Sequence, residues 1–393
     1  MRVLAITKVF PNAVVPLDEP HIRQQYAALG QTKDCDVEVL ATIPWFPGLS
    51  ALRNASYAGR IAGAPRHETI EGLFVHHPRF LQIPKIGVPI AATLYALSIL
   101  PIVARRRRHV DIILATWAYP DGAAAVALGK ILGIPVVVEV IGSDMNVVAQ
   151  MPSARLNLEL TLPHAAGVVA VSEQLGHAVA ALGVNRDRIS IIPTGINRSL
   201  FHPRDRHQGR RDLAIPEAGK IILFLGRLDR AKGIFDLADA FARLASRHPD
   251  WSLIFVGADE TRGALARAVE GLADRVQLVG QRPVEEIPTW LAACDVLALP
   301  SYAEGTPNVI LEAFACGRRV VASDVGGIPD VLTSPRHGAL VRPRDVEGLE
   351  RALEQILAQD EDPIALAHDA SILSWGESAE RLRCALAEAV TRG

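Results

Sequence analysis

Cysteine is scarce in this chain. Four in 393 residues (Cys35, Cys294, Cys316 and Cys384) stand far apart, with neither C-x-x-C spacing nor a histidine pairing. That pattern excludes a disulfide framework and a structural zinc site, and predicts a reducing, cytoplasmic setting. An excess of one charge is also lacking: 41 Lys and Arg oppose 43 Asp and Glu, a formal net charge of -2 that supplies no general attraction for nucleic acid. No apolar leader with a cleavage site precedes the strand-like start Met1-Arg2-Val3-Leu4-Ala5-Ile6-Thr7. No G-x-G-x-x-G opens a helix, which argues against an ordinary nicotinamide dehydrogenase, and neither a P-loop nor a G-x-S-x-G elbow occurs. The acid pairs Asp34-Cys35-Asp36 and Asp360-Glu361-Asp362 sit in turn-like contexts, so no metal ligand set is predicted. Short-period repeats and low-complexity tracts are absent as well.

What is present is a folded, apolar-rich chain, 49% hydrophobic and 21% charged, too long for one ordinary core. Short runs rich in Val and Ile alternate with helical patterns. Strands are predicted at residues 3–7, 37–42, 73–78, 112–117, 136–141, 168–171 and 189–193, and again at 221–226, 252–257, 276–280, 296–300, 320–323 and 339–342. Continuous apolar strands separated by helices imply α/β architecture, parallel sheets covered on both faces and two doubly wound domains. The boundary is placed within residues 195–218, where Pro203, Pro216 and a charged stretch interrupt the apolar rhythm. Residues 86–104 carry no charge and run into Arg105-Arg106-Arg107-Arg108. This segment fits three readings: a core helix of the first domain, a helix touching anionic lipid, or a membrane span, against which Pro89 and Pro101 count.

Ligands of open parallel sheets bind beyond the carboxyl ends of strands, so the loops there carry the chemistry. The segment Glu304-Gly305-Thr306-Pro307-Asn308-Val309-Ile310-Leu311-Glu312 straddles a predicted helix start, with Thr306 as N-cap and Pro307 as first helical residue. Glu304 then lies in the loop and Glu312 inside the helix, while first-turn amides such as those of Asn308 and Val309 offer an anion site. Upstream, Gly226-Arg227-Leu228-Asp229-Arg230-Ala231-Lys232-Gly233 follows a predicted strand. Arg227 offers a bidentate fork and Lys232 a compact ammonium, suited to a diphosphate whose charge grows as it leaves. After the strand at 136–141, Gly142 permits close backbone approach and Asp144 is either a ligand for an acceptor hydroxyl or a helix cap.

These residues, with Ala315-Cys316-Gly317 and Val320-Val321-Ala322-Ser323-Asp324-Val325-Gly326-Gly327-Ile328-Pro329-Asp330, resemble the donor domain of the retaining glycosyltransferases called GT4, which have the GT-B fold. Trp117-Ala118-Tyr119-Pro120-Asp121-Gly122, Gly142-Ser143-Asp144-Met145-Asn146 and Val171-Ser172-Glu173 are similar to the first domain of members that build bacterial envelope or extracellular polysaccharides. Leu373-Ser374-Trp375 resembles the point where such chains cross back. The resemblance implies two Rossmann-like domains with an interdomain cleft: an acceptor domain at 1–200, a nucleotide-sugar domain at 201–372 and a returning helix at 373–393. It implies donor diphosphate binding and catalysis by Arg227 and Lys232, sugar hydroxyls on Glu304 and ribose on Glu312. Gly226 and the stretch Gly305, Thr306, Pro307, Asn308 and Val309 complete the donor site; Gly142, Ser143, Asp144 and Asp121 face the acceptor. The partners implied are a nucleotide-sugar donor, a glycan or lipid-linked glycan acceptor and an anionic membrane surface, with no metal and no cofactor. Many relatives carry a histidine before the Gly-Ser-Asp; this chain has Ile141. A non-catalytic nucleotide-sugar-binding subunit and a sugar-nucleotide epimerase on the same fold remain open alternatives.

Overall fold

The computed structural model describes residues 1–16, 20–49, 57–83, 87–272, 274–305, 307–370 and 372–392. The chain forms two compact units, Met1–Gly195 with the stretch from Trp375 onward, and Ile196–Ser374. The division at Gly195 and Ile196 lies at the start of the 195–218 range, and the charged stretch within that range is the helix Arg206–Asp212 of the second unit, where buried Arg210 forms an ion pair with Asp295 at 2.6 Å.

The first unit contains strands β1 (Arg2–Thr7), β2 (Asp36–Ala41), β3 (Ile43–Trp45), β4 (His67–Ile70), β5 (Leu73–His76), β6 (Arg79–Leu81), β7 (Ile112–Thr116), β8 (Val136–Val140), β9 (Gly167–Ala170) and β10 (Ile189–Ile191). Eight of them form one sheet in the order β10-β9-β8-β7-β1-β2-β5-β4, and β3 pairs separately with β6. Within the large sheet the pairings are parallel except that β4 runs antiparallel to β5 at the edge. Both faces are covered, as the apolar strands require. One face packs Tyr95, Ile99, Leu128 and Leu158 from three helices, and the other packs Tyr26, Leu29, Leu382 and Leu386 from the helices Pro20–Gln31 and Trp375–Arg392.

The uncharged segment before the four arginines is the helix Ala91–Arg106; Ile86, its first residue, lies outside the described residues. It buries Ala92, Tyr95, Ile99 and Val103, one stripe at helical spacing, against the sheet and leaves Leu97 62% exposed. By length and composition the stretch Val88–His109 is apolar enough to cross a membrane, yet that stripe belongs to the unit's core.

The second unit has strands β11 (Ile221–Leu225), β12 (Ser252–Val256), β13 (Val276–Gly280), β14 (Val296–Leu299), β15 (Arg319–Ser323) and β16 (Gly338–Val341), all parallel, in the order β13-β12-β11-β14-β15-β16. This is the doubly wound order in which the chain reverses direction across the sheet between β11 and β14, where a ligand crevice opens. Its core includes Leu223, Phe224, Phe255, Leu297 and the inner face of the helix Ile234–Arg247, Ile234, Leu237, Ala238, Phe241 and Leu244.

Candidate functional site

The loops after β11 and β14 flank that reversal point. Following β11, Gly226 (φ 143°) turns the chain and Asp229 caps a short helical turn ending at Lys232. Gly233 follows at φ 67°, where a Cβ would stand 2.0 Å from the Pro300 carbonyl oxygen, so only glycine lets the two loops approach this closely. Across the junction Lys232 Nζ reaches Glu304 Oε1 at 2.6 Å, and Ser301 Oγ donates to the same oxygen at 2.6 Å. A third loop supports them: the Gly327 amide donates to the Gly305 carbonyl at 2.8 Å, and a Cβ on Gly326 would lie 2.0 Å from the Glu304 carbonyl. Arg227 stands more freely, 65% exposed, with Glu260 at 3.6 Å and Asp229 at 3.9 Å as its nearest acids.

The helix Asn308–Ala315 begins one residue later than the sequence suggests. Pro307 is the N-cap, with φ -73° and ψ 115°, and among the described residues no side chain caps the turn. Thr306 lies outside the described residues. The first turn, with Asn308 and Val309, carries the positive end of the helix dipole. Further in, Glu312 is buried, 7% exposed, and its carboxylate has no hydrogen-bond or ion-pair partner among the described residues. Burial alone pushes its pKa up to about 7. Asn308 Oδ1 is likewise buried without a partner. Unpaired buried polar groups are costly, and two on one helix face mark a place shaped for a ligand rather than for stability.

In the first unit the loops after β1, β7 and β8 come together where that sheet also reverses. Gly142 adopts φ 134° and caps the turn Ser143–Asn146, in which Ser143 is exposed. Asp144 is fully buried: Oδ2 accepts from the Ala118 amide at 2.9 Å, and Oδ1 from the amides of Gly142 at 2.8 Å and Ile141 at 3.2 Å. Its carboxylate ties the β7 and β8 loops together from below. Asp121 is fully buried too; Tyr95 donates its hydroxyl to Oδ1 at 2.9 Å, and desolvation, partly opposed by Lys8, raises its pKa to about 6. Lys8 and the buried Glu139, bonded to Gln25 and Thr116, are members of this region that sequence reading missed. A lone lysine after a strand has no spacing pattern to mark it, and its place depends on β1 lying beside β7.

Two doubly wound units, with paired basic and acidic groups at the reversal point of the second, define a glycosyltransferase of the GT-B class. Residues 19–195 match the glycosyl transferase 4-like domain and residues 219–359 match glycosyl transferases group 1; the chain belongs to this family. It is similar to the Bacillus subtilis protein TuaC, whose name assigns it provisionally to teichuronic acid biosynthesis as a glycosyltransferase, at 28% identity over 90% of this chain and 88% of that one. It also aligns with the D-inositol 3-phosphate glycosyltransferase of Corynebacterium diphtheriae at 34% identity over 56% of each chain, so the match spans just over half of that relative. Among solved structures, Anabaena HepE in complex with UDP-glucose aligns over 98% of this chain and 99% of its own, with a TM-score of 0.67 and 20% identity. Sucrose-phosphate synthase from Thermosynechococcus elongatus aligns over 100% and 97%, with a TM-score of 0.69 and 24% identity. These two likenesses are of fold.

Proposed function

We propose that the protein moves a sugar from a nucleoside diphosphate-sugar to a glycan or lipid-linked glycan acceptor with retention of configuration, in cell-envelope or extracellular polysaccharide synthesis. The observation that carries the donor assignment is the buried Glu312, unpartnered among the described residues, in the helix Asn308–Ala315 next to the loop holding Lys232 and Glu304. A carboxylate in this position suits the paired hydroxyls of a ribose, and the helix start with Lys232 and Arg227 suits the diphosphate. Glu304 would pass from Lys232 to hydroxyls of the transferred sugar. As the bond from the anomeric carbon to the phosphate oxygen breaks, the acceptor oxygen forms the new bond on the same face, and its proton goes to the departing phosphate oxygen. Such a reaction needs positioning and charge stabilisation more than a strong base, and Arg227, Lys232 and the helix dipole supply these without a divalent metal.

Acceptor binding is assigned to the first unit, with Ser143 and the Gly142 turn at its surface and Asp144 and Asp121 as the buried acids that hold the loops. Membrane contact at the cytoplasmic face accompanies this reading. It is supported by Leu97, Ile131, Leu156 and Leu160, each more than half exposed on helices covering one face of the first unit's sheet, and by exposed Arg105, Arg107 and Arg108. The relatives' names, TuaC and HepE with UDP-glucose among them, favour polysaccharide assembly and a nucleotide-sugar. The test is slow hydrolysis of a panel of UDP-, GDP- and ADP-sugars by the purified protein. Hydrolysis of one of them supports the transferase, binding without turnover would make the chain a nucleotide-sugar-binding subunit, and conversion to an epimeric nucleotide-sugar would make it an epimerase.

A further inference from the structure

Lys8 lies just past the carboxyl end of β1, beside Trp117 at the end of β7. Its side chain is 27% exposed, and its ammonium sits 5.1 Å from the centre of the Trp117 ring. An ammonium has three hydrogens to donate. Here its nearest oxygens are the Tyr119 carbonyl at 3.4 Å and Asp121 Oδ2 at 3.9 Å, the second beyond hydrogen-bond reach. Among the described residues Asp121 Oδ2 is itself buried with no hydrogen-bond partner, as is the indole nitrogen of Trp117. Trp117 adopts φ 93°, a conformation costly for a residue with a side chain, so the surrounding structure holds it there. A largely desolvated cation with spare donors, a strained aromatic and a carboxylate with one unpartnered oxygen thus converge at the sheet's reversal point, where ligands of parallel sheets bind.

We propose that Lys8, braced by Asp121, orients the acceptor by donating a hydrogen bond to a hydroxyl of an uncharged sugar or polyol ring. The choice of an uncharged ligand follows from local charge. The ammonium faces Asp121 and feels Asp144 as well, so two carboxylates oppose its pull on an anion and a neutral ligand suits it better. Desolvation weakens the charged form of Lys8 and the two acids offset this only in part, which leaves a poorly solvated cation whose remaining donors seek a neutral acceptor oxygen.

The proposal rests on the transferase reading, and its test separates the two. With the nucleotide-sugar that the full-length protein hydrolyses, transfer is measured to neutral p-nitrophenyl glycosides and, in parallel, to sugar phosphates. Transfer to a neutral glycoside is expected, with the Lys8→Met variant lowering the ratio of transfer to donor hydrolysis about ten- to a hundredfold through a raised acceptor KM. Lys8→Arg, which still donates, should recover part of it. Because Lys8→Met leaves the buried Asp121 without its countercharge, the double variant with Asp121→Asn guards against loss of folding and should show the same ratio. An unchanged ratio in the two Met variants, or transfer only to sugar phosphates or to no probe, overturns the assignment while donor hydrolysis leaves the transferase reading standing. Absence of donor hydrolysis from the unmutated protein would overturn both.

Discussion

At the residue scale, Glu312 carries a testable conflict between stability and function. Its folded pKa of about 7 stands above the ordinary value of 4.5, so as pH rises the unfolded chain loses this proton first. The stability cost is therefore absent below about pH 4.5, grows as pH rises, and is complete above about pH 7. Glu312→Gln should stabilise the ligand-free protein at pH 8, by at most on the order of 3 kcal/mol, with little effect at pH 4 to 5. The same variant should weaken nucleoside diphosphate binding, and Glu312→Ala at least tenfold, since a hydrogen bond to a charged group contributes about 1.5–3 kcal/mol. Calorimetry across the pH range decides it: equal affinities for parent and variants would remove Glu312 from the donor site. In the proposed reaction Lys232 and Arg227 would face charge that develops only as the diphosphate leaves, so replacing either by Ala should cost kcat about 10²–10³ with a smaller loss of donor affinity. Activity abolished by EDTA and restored by magnesium would show instead that a metal carries that charge.

At the scale of elements, the helix Ala91–Arg106 is half committed to the core and half open. Arg106 is engaged by Glu38 at 2.7 Å, leaving Arg105, Arg107 and Arg108 free to meet an anionic surface. Each would contribute up to about 1 kcal/mol near such a membrane, screened by salt. Co-sedimentation with anionic vesicles should therefore exceed that with neutral ones at low salt, fall at high salt, and fall again when these three arginines become Gln; equal sedimentation with both lipids would confine the segment to its packing role. What the sequence made legible follows the same division between buried and exposed faces. Long Val- and Ile-rich runs announced every strand of both main sheets except β4, because burial on two faces demands unbroken apolarity. The strands β3, β4 and β6 went unseen: Ile43–Trp45 contains a proline, His67–Ile70 is an edge of mixed polarity, and Arg79–Leu81 is too short to show a period. Lys232 and Glu304 were legible as a motif, but their direct contact was not, since it depends on β11 lying beside β14. Asp144 had two readings in the sequence, and its three amide partners lie on two different loops that only the tertiary fold brings together.

For the whole molecule, the chain leaves its first unit at Gly195, builds the second and returns with the helix Trp375–Arg392. Ala379, Leu382 and Leu386 of that helix are fully buried beside Val3, Ala5, Ile112 and Leu114 of β1 and β7. Each leucine contributes about 1.5–3 kcal/mol of burial, and its removal would also bare the apolar face it covers. The two leucines together, about 3–6 kcal/mol, reach the lower end of the whole stability of an ordinary domain, about 5–15 kcal/mol, before the bared face is counted. Truncation after Ser374 should therefore unfold the first unit, whereas the second has a separate core in which these residues take no part. Hydrogen exchange should report β1 and β7 unprotected with β11 and β14 still slow, and nucleoside diphosphate binding should persist while transfer is lost. Native protection of β1 and β7 in the truncated chain would instead show that the first sheet folds without its returning helix. The contrast is expected because the groups proposed to hold the donor, Arg227, Lys232, Glu304 and Glu312, all belong to the span Ile196–Ser374, while the unit proposed to hold the acceptor would depend for folding on a segment made only after that span is complete.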